Sequence, residues 1–549
     1  MTAATTSEQI ERADGRVELH EGVVLDDPAL YNEDLAPVRI EKRTWSTYTY
    51  AALWISMAHC IPTYMLASSL IGAGMNWWQA LLTILVGNTI VLLPILANSH
   101  PGTKYGIPFP VFARASYGVF GANVPAIMRA IVACGWFGIN AWIGGQAIQT
   151  FFKSLYSGWP ELFGPKAACA NGPCSGLAWI VEGHYPTEWV SFALFWALNI
   201  LVVYRGMELV RKVENIAAPY VLVMTGILVA WAIWRAHGLG AVMRDEGKFH
   251  SLGDFWPVFV PSVTAMIGFW STLSLNMPDF TRFGRSQKEQ AVGQVVALPT
   301  TMTVFALMGI IITSASAEIY GQPIWDPVDL VGRFESRVLV AIAMFTVVVA
   351  TLGVNIAANV VSPANDFANL KPGAISFKTG GLITGIVGVT MLPWKLIADP
   401  SGYIFKWLLG YSGGLGSIAG VLVADYWLVR KKQLVLADLY RREGAYSYGE
   451  SRFGPVAAVL AAFVSLFLTG IAVIVKPRDG RMTGVNPVAI VATLFGCALA
   501  WIGLVVKPLA VLYDYAWFVG AGGAALAYTL MMRGAVGRSP ATVNPPLTQ

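Results

Sequence analysis

The chain has 549 residues, of which 55% are hydrophobic and only 13% are charged, and its formal net charge is +5. Soluble proteins carry about 25% charged residues, so this composition excludes a series of soluble domains. Residues 44–103 contain no Asp, Glu, Lys or Arg, and such a stretch is long enough for two membrane spans of about 20 residues each. The sequence therefore predicts a polytopic membrane protein.

The predicted elements begin with a polar N-terminal tail, residues 1–43, which contains no apolar core of a signal peptide. Barrel strands would be about 10 residues long with alternating polarity, so the uninterrupted apolar segments that follow are predicted to be helices. Counting 44–103 as two spans gives thirteen segments, the others being 130–152, 189–204, 215–234, 255–278, 290–317, 338–365, 379–394, 407–424, 453–475, 482–506 and 515–532.

Basic residues are concentrated in alternate loops, as in the run Arg430, Lys431 and Lys432. The positive-inside rule then places the N-terminus in the cytoplasm and the chain in the cell (inner) membrane. The segment 453–475 is apolar enough to span, but a span there would put Lys476 and Arg478 outside. Two alternatives therefore stay open, twelve spans or thirteen, with the C-terminus on opposite sides of the membrane.

Two of the predicted helices are interrupted, the first at Met57–Pro62 and the sixth at Ile267–Thr272. Interruptions at matching positions of two halves are typical of inverted-repeat transporters, which bind substrate near the middle of the membrane. The alternative is that these glycines and prolines only serve helix packing. The clear windows of the first ten segments contain no charged residue, so we expect no buried carboxylate relay there.

Five motifs give the chain a family resemblance. They are Tyr31–Pro37 (YNEDLAP), Lys104–Pro110 (KYGIPFP), Gly135–Gly138 (GWFG), Ala357–Asn359 followed by Ser362-Pro363, and Asp425–Arg430 (DYWLVR). With these motifs the chain resembles the nucleobase–cation symporter family, which includes hydantoin, allantoin, uracil and cytosine permeases.

The resemblance implies an all-α LeuT-type fold of two inverted five-helix repeats plus trailing helices. The first repeat is expected at 44–237 and the second at 255–430. The segment 453–475 looks like an insertion relative to the family. Trailing helices are then expected at 482–532, followed by a polar tail at 533–549.

The resemblance also implies a substrate site made of Trp136, Asn140, Trp270 and Asn359. Trp136 and Asn140 are four residues apart, so they share one face of a helix. Two indoles can stack on a planar heterocycle, and carboxamides offer both a donor and an acceptor to a cyclic ureide or lactam. Packing in the core or in an interfacial belt is the alternative for each Trp. The same resemblance adds Phe269, Cys60 and the gate residue Leu408, for which plain packing is again the alternative.

No charged residue is supplied to this site, so the expected substrate is small and neutral. The family's hydantoin transporter carries Gln where Asn140 stands and Gly where Phe269 stands, whereas its allantoin permease carries Asn. Asn is shorter by one methylene, which leaves room for the ureido tail of allantoin. We therefore expect a transporter that imports allantoin by alternating access, with a sodium-coupled uracil or hydantoin permease as the alternative. We expect the lipid bilayer as its surroundings, with no cofactor and no nucleic-acid partner.

Five positions correspond to the cation site of the sodium-coupled family member. Backbone carbonyls are expected at Ser56, His59 and Ala350, and hydroxyls where this chain has Gly353 and Val354. Sodium needs oxygen ligands, so we expect a degraded site and transport that prefers H⁺ to Na⁺ or follows downstream metabolism. His59 can titrate near neutral pH, although a structural histidine is the alternative.

Two patterns suggest other chemistry. Gly410–Gly414 matches the G-x-S-x-G nucleophile pattern, so Ser412 with His59 would make an intramembrane serine hydrolase, a remote alternative because the strand–turn–helix context is missing. We expect no enzyme and no metal site. Cys169 and Cys174 share one predicted outside loop, where a disulfide and two free thiols are both open interpretations.

Overall fold

The computed structural model describes residues 8–169, 174–205, 207–239, 247–324, 326–397, 407–448 and 484–536. These residues are predominantly helical, with one antiparallel hairpin formed by β1 (Gln9–Glu11) and β2 (Val17–Leu19). The predicted segment 453–475 and residues 537–549 of the predicted tail lie outside the described residues.

The α-helices, in chain order, are α1 (Thr47–Ala58), α2 (Ile61–Gly72), α3 (Trp77–Tyr105), α4 (Phe109–Tyr117), α5 (Asn123–Leu155), α6 (Leu177–Val181), α7 (Pro186–Arg205), α8 (Met207–Arg235), α9 (Leu252–Phe269), α10 (Leu273–Asn276), α11 (Pro278–Thr281), α12 (Gln287–Tyr320), α13 (Pro327–Val331), α14 (Arg337–Asn359), α15 (Val361–Leu370), α16 (Phe377–Thr390), α17 (Pro393–Leu396), α18 (Leu409–Val423), α19 (Pro487–Trp501), α20 (Ala510–Asp514) and α21 (Ala516–Val536). A π-helical turn, Ala424–Val429, continues α18.

Nine helices among the described residues are long and apolar enough to cross a membrane, and one strongly bent pair near the C-terminus adds a tenth if it counts as one span. If the broken pair α1–α2 and the shorter α16 each count as one further span, the described residues contain twelve spans, which is consistent with the lower of the two predicted numbers. Large apolar side chains such as Leu93, Val296 and Leu526 point outward and are more than half exposed. An apolar outer surface of this kind suits lipid and not water.

Both predicted interruptions are confirmed. Between α1 and α2 the backbone leaves helical geometry at His59 and is extended at Cys60. Pro62 lies in the first turn of α2, where the missing N–H of a proline costs nothing. The hydroxyl of Thr63 donates to the carbonyl of Ala58 across 2.7 Å and so satisfies one of the carbonyls that the break exposes. In the second interruption α9 ends at Phe269 and α10 begins at Leu273.

Helix α5 forms the centre of the bundle and packs against α7, α14, α15 and α16, while α1 packs between α8, α12 and α14. Close approach requires glycine at two positions. A Cβ at Gly138 of α5 would lie 2.4 Å from the carbonyl oxygen of Gly388 in α16, and one at Gly268 of α9 would lie 2.9 Å from the carbonyl oxygen of Leu408. Small residues of this kind are how membrane helices approach without a hydrophobic driving force.

Residues 8–43 are folded onto one end of the bundle, which we call the N-terminal face. The buried guanidinium of Arg43 donates to the backbone carbonyls of Val17, Val38 and Thr103. Arg282 donates to the carbonyl of Asp34 across 2.8 Å. The N-terminal segment is therefore held by groups from several parts of the chain.

Candidate functional site

Three aromatic rings meet where the break after α9 faces α5. The ring of Phe269 stands edge-on to Trp136, with centroids 5.2 Å apart, and edge-on to Trp270, with centroids 4.9 Å apart. Trp270 in turn meets Trp54 of α1 in an edge contact at 5.2 Å. The structure thus brings together three of the predicted residues, and Phe269 contacts both indoles.

Tyr411 of α18 joins this cluster, although nothing in the sequence singled it out. The indole N–H of Trp136 donates to the hydroxyl of Tyr411 across 3.2 Å, and that hydroxyl donates to the carbonyl of Gly268 across 3.0 Å. Gly268 lies at the end of α9, where a broken helix leaves carbonyls without partners. Tyr411 therefore links α5, α9 and α18. The only available signal was its position one residue after Gly410 in a glycine-rich helix.

Two buried polar atoms of the predicted set have no hydrogen-bond partner among the described residues. They are the side-chain oxygen of Asn140 and the indole N–H of Trp270. The amide nitrogen of Asn140 donates to the carbonyl of Trp136 across 3.1 Å, which fixes the orientation of the side chain. An unpaired buried polar group is unfavourable by about 1–3 kcal/mol. One acceptor and one donor are therefore available beside aromatic surfaces.

Asn359 is the last residue of α14 and belongs to a chain of carboxamides. Its amide nitrogen donates to the side-chain oxygen of Asn355 across 3.0 Å, and Asn355 donates to the carbonyl of Phe137 across 3.3 Å. Phe137 is adjacent to Trp136. Asn359 is thereby connected to the helix that carries Trp136 and Asn140.

The remaining predicted pocket residues lie at the two breaks. Leu408 is fully buried, and its backbone abuts Gly268 beside Phe269. Cys60 is also buried, and its thiol contacts the hydroxyl of Thr63 at 3.3 Å. Cys60 lines a cavity that is also lined by two of the predicted cation positions.

This cavity of about 70 Å³ lies between α1–α2, α8, α13 and α14. Of the five predicted cation positions, His59 and Ala350 line it, together with the hydroxyl-bearing residues Tyr64, Thr225 and Thr351. The ring nitrogen Nε2 of His59 faces the hydroxyls of Thr225 and Tyr64. These three hydroxyls were not predicted, because their proximity depends on how the helices pack.

Of the other cation positions, only Ser56 carries a side-chain oxygen. Gly353 and Val354 are buried in α14, and Ser56 is buried in α1. No cluster of three or more His, Cys, Asp or Glu side chains with metal-binding geometry occurs within the described ranges. Any cation at these positions would lack the two hydroxyls that the family resemblance places at residues 353 and 354.

Ser412 and His59 do not form a catalytic pair. The hydroxyl of Ser412 donates to the carbonyl of Leu409 in its own helix across 2.8 Å, whereas the ring of His59 is engaged with Thr225 and Tyr64. A serine nucleophile needs a base within hydrogen-bond reach. The interpretation of the Gly410–Gly414 pattern as a hydrolase site is therefore wrong, and the glycines serve helix packing.

The charge-free windows contain no carboxylate, but charged side chains directly beside three of them are buried. Arg129, Asp279 and Asp366 have side chains with essentially no exposed surface. Each lies directly beside a charge-free window, namely 130–152, 255–278 and 338–365. Helices α5, α11 and α15 continue past the window ends, so residues that look like loop charges in the sequence are covered by neighbouring helices.

The two cysteines of the predicted outside loop are joined. Cys169 and Cys174 form a disulfide in the structure, with their Cα atoms 5.4 Å apart. Of the two interpretations that the spacing left open, the structure shows the bonded one.

Comparison with known proteins gives a consistent result. A family model described as a permease for cytosine/purines, uracil, thiamine and allantoin matches residues 37–485. The allantoin permease of Bacillus subtilis is 39% identical over 92% of this chain and 93% of its own length. The purine-uracil permease of Arabidopsis thaliana is 40% identical over 79% of this chain and 70% of its own length.

The fold is similar to that of Mhp1, a nucleobase-cation-symport-1 family transporter solved in a closed conformation with bromovinylhydantoin bound. The TM-score is 0.70 at 23% sequence identity, and the match covers 93% of this chain and 97% of the other. This likeness confirms the predicted LeuT-type fold.

Proposed function

This chain belongs to the family of permeases for cytosine, purines, uracil, thiamine and allantoin, and we propose that the compound it carries is allantoin. It is a multi-pass membrane transporter and not an enzyme, as its family and its relatives indicate. We propose that it imports this neutral ureide by alternating access and that the import does not require sodium.

The observation that carries the substrate class is the pair of unpaired buried atoms beside the aromatic cluster. The oxygen of Asn140 can accept a hydrogen bond and the indole N–H of Trp270 can donate one. A planar ring that presents an N–H beside a C=O satisfies both and lies against the faces of Trp136 or Trp270. Because the cluster around Phe269 contains no charged side chain, a neutral ring is favoured over an ion.

Two arguments favour allantoin over the other ureides. Asn140 is one methylene shorter than the Gln of the family's hydantoin transporter, which gives space for the ureido tail. The relative from Bacillus subtilis, which covers nearly the whole chain, is an allantoin permease. Uracil is the second candidate, because the plant relative is a purine-uracil permease.

Alternating access would be built on the two breaks. The helices α1 and α9 end beside the substrate cluster, so the segments before and after each break can tilt separately. Tyr411 connects the end of α9 to Trp136, and a ligand bound at Trp136 and Trp270 contacts both sides of this connection. Ligand binding is thereby coupled to the position of α9 relative to α5.

Sodium independence follows from the cation positions. Gly353 and Val354 carry no side-chain oxygen, so two of the five oxygen ligands of the family's sodium site are missing and the carbonyls at Ser56, His59 and Ala350 remain. Unless water or the Ser56 hydroxyl completes the shell, three carbonyls are too few for a hard cation. We propose proton coupling in its place. We also propose that the N-terminal face is cytoplasmic in the cell membrane, because basic residues are concentrated in the loops on that side.

Uptake of labelled allantoin into cells that express the protein tests this function. We expect unlabelled allantoin to compete more strongly than uracil or hydantoin, and uptake to be the same in sodium and in choline medium. Failure of allantoin to compete would refute the substrate assignment. A steep sodium dependence at fixed pH would refute the coupling assignment.

A further inference from the structure

A cluster of buried charges lies between α5, α11 and α15. Its members are Arg129, Asp279 and Asp366, and the side chains of Arg129 and Asp366 are both 0% exposed. Ionised side chains inside a membrane protein are unfavourable and commonly mark ion or proton pathways. None of the proposed substrate or cation positions belongs to this cluster.

The charges of the cluster are incompletely paired. The nearest approach between Arg129 and Asp366 is 3.6 Å, from Nη1 to Oδ2, which is too long for a good hydrogen bond. Within the described part of the chain, both oxygens of Asp366, Oδ2 of Asp279, and Nε and Nη1 of Arg129 have no hydrogen-bond partner. The other oxygen of Asp279 accepts from the backbone N–H of Phe109 across 3.0 Å.

A second buried aspartate shows what full pairing looks like in the same protein. Asp425 accepts from the hydroxyl of Ser116, from Nε of Arg430 and from the hydroxyl of Tyr528, at 2.7–3.0 Å. A structural carboxylate in this bundle is thus surrounded by donors. Asp366 is equally buried, but none of the described residues places a donor within hydrogen-bond distance of its carboxylate.

The electrostatic surroundings of Asp366 contain one nearby positive and one nearby negative group. Helix α5 contributes Arg129 and the thiol of Cys134, and α11 contributes Asp279, which is followed by Arg282. Arg114 of α4 is occupied by Asn369 and the carbonyl of Leu439. The charged residues of α14 and α16, Arg337 and Lys378, are exposed. Asp279 faces two guanidinium groups, those of Arg282 and Arg129, whereas Asp366 faces Arg129 alone. Two neighbouring buried carboxylates disfavour double ionisation, so Asp366 is the member of the pair that has room for a proton.

We propose that Asp366 is the binding site of the coupling proton and that Arg129 transmits its occupancy to the substrate site. This inference rests on the proposed proton-coupled transport. The carboxylate of Asp366 forms an O–H bond with a proton from one side of the membrane and releases it to the other, and no other bond changes. The side chain of Asp366 is buried in the structure, so exchange of the proton requires the helices around it to separate.

Arg129 is placed to act as the transmitter. It precedes Trp136 by seven residues, so the two side chains are on one face of α5, two turns apart. Its Nη2 donates to the carbonyl of Ala358, the residue before Asn359, across 3.3 Å. When Asp366 is ionised it attracts Arg129 toward α15. When Asp366 is protonated, Arg129 is attracted to Asp279 instead. Asp279 lies on α11, which follows the break between α9 and α10.

Purified protein in liposomes with a trapped pH-sensitive dye tests the proposal. The substrate is labelled allantoin, or labelled uracil if allantoin is not carried, and its uptake by the wild type should acidify the lumen. If one proton enters with each substrate molecule, a pH difference of one unit can drive about tenfold accumulation of the substrate. We expect Asp366→Asn to lose the acidification and the accumulation but to retain counterflow at equal pH. Asp329→Asn, a control at an exposed aspartate, should keep the proton flux.

The outcomes separate the two proposals. A wild type without counterflow of any tested heterocycle refutes the proposed function and with it this inference. Counterflow in the wild type together with normal acidification by Asp366→Asn refutes the inference alone. If Asp366→Asn also loses counterflow, Asp366→Glu decides: we expect retained proton flux with a shifted pH midpoint, and an unchanged midpoint overturns the proposal.

Discussion

The indole N–H of Trp136 and the hydroxyl of Tyr411 are 3.2 Å apart, and this contact ties the central helix α5 to the glycine-rich α18. The same hydroxyl reaches the carbonyl at the end of α9. Tyr411 therefore has two roles at once: it orients the indole that a substrate would stack on, and it caps the broken helix.

Tyr411→Phe should weaken substrate binding without unfolding the protein. The variant keeps the ring and removes the hydroxyl, and a typical net hydrogen bond contributes about 1 kcal/mol, which corresponds to roughly a fivefold change in affinity. The half-saturation concentration of uptake measures this, with surface expression as the control. An unchanged half-saturation concentration would show that Tyr411 does not orient Trp136 in the bound state.

Asn140→Ala and Asn359→Ala should each weaken substrate binding by about 1–3 kcal/mol, because ligand amides lose partners in a dry site. Asn199→Ala of α7 is a matched control. Like Asn140, Asn199 donates to the carbonyl four residues before it, and its side-chain oxygen is buried without a partner among the described residues. Binding that falls equally in all three variants would point to general loss of stability.

Gly353→Ser combined with Val354→Thr should make uptake respond to sodium. The double variant restores two hydroxyls next to the three backbone carbonyls of Ser56, His59 and Ala350, which raises the number of oxygen ligands to five. Uptake in sodium relative to choline, at one pH, measures the change. A second double variant, Gly353→Ala with Val354→Ser, adds only one hydroxyl and serves as the comparison for the sodium response. Indifference of the double variant to sodium would contradict the assignment of these positions.

Acid should loosen the N-terminal segment from the bundle. The hydrogen bonds from Arg442 lower the pKa of the Asp27 carboxyl below its ordinary value. A lowered folded pKa stabilises the fold above the unfolded value of about 3.9, and this stability is lost as pH falls through the folded pKa.

The effect is local and small, since an exposed ion pair contributes about 0–1 kcal/mol. Hydrogen exchange of residues 8–43 measures it: exchange should increase in Arg442→Ala at neutral pH, and the difference from the wild type should shrink in acid. A difference that stays constant with pH would exclude this ion pair as the cause.

The disulfide between Cys169 and Cys174 predicts that a thiol reagent labels intact cells only after reduction. The three free cysteines, Cys60, Cys134 and Cys497, are buried and should contribute little. Cys169→Ser supplies the control, because it frees Cys174 and should be labelled without reductant. Equal labelling of the wild type before and after reduction would contradict both the bond and the outside location of this loop.

The sequence by itself determined the class of protein, the two broken helices and the family. The uncharged stretch 44–103 excludes a soluble fold because it is long enough for two membrane spans. The break before Pro62 is a local property, since a proline cannot donate the hydrogen bond that continues a helix. Trp136 and Asn140 share a helical face for the equally local reason that they are four residues apart.

The tertiary structure alone decided which side chains meet across helices. Tyr411 and Trp136 are 275 residues apart, and Phe269 meets Trp136 only because the end of α9 lies beside α5. Arg129, Asp279 and Asp366 end three apolar windows and look like loop charges, yet neighbouring helices cover them. The burial of a charge depends on which helices pack around it, and a pattern of residues along one chain does not contain that information.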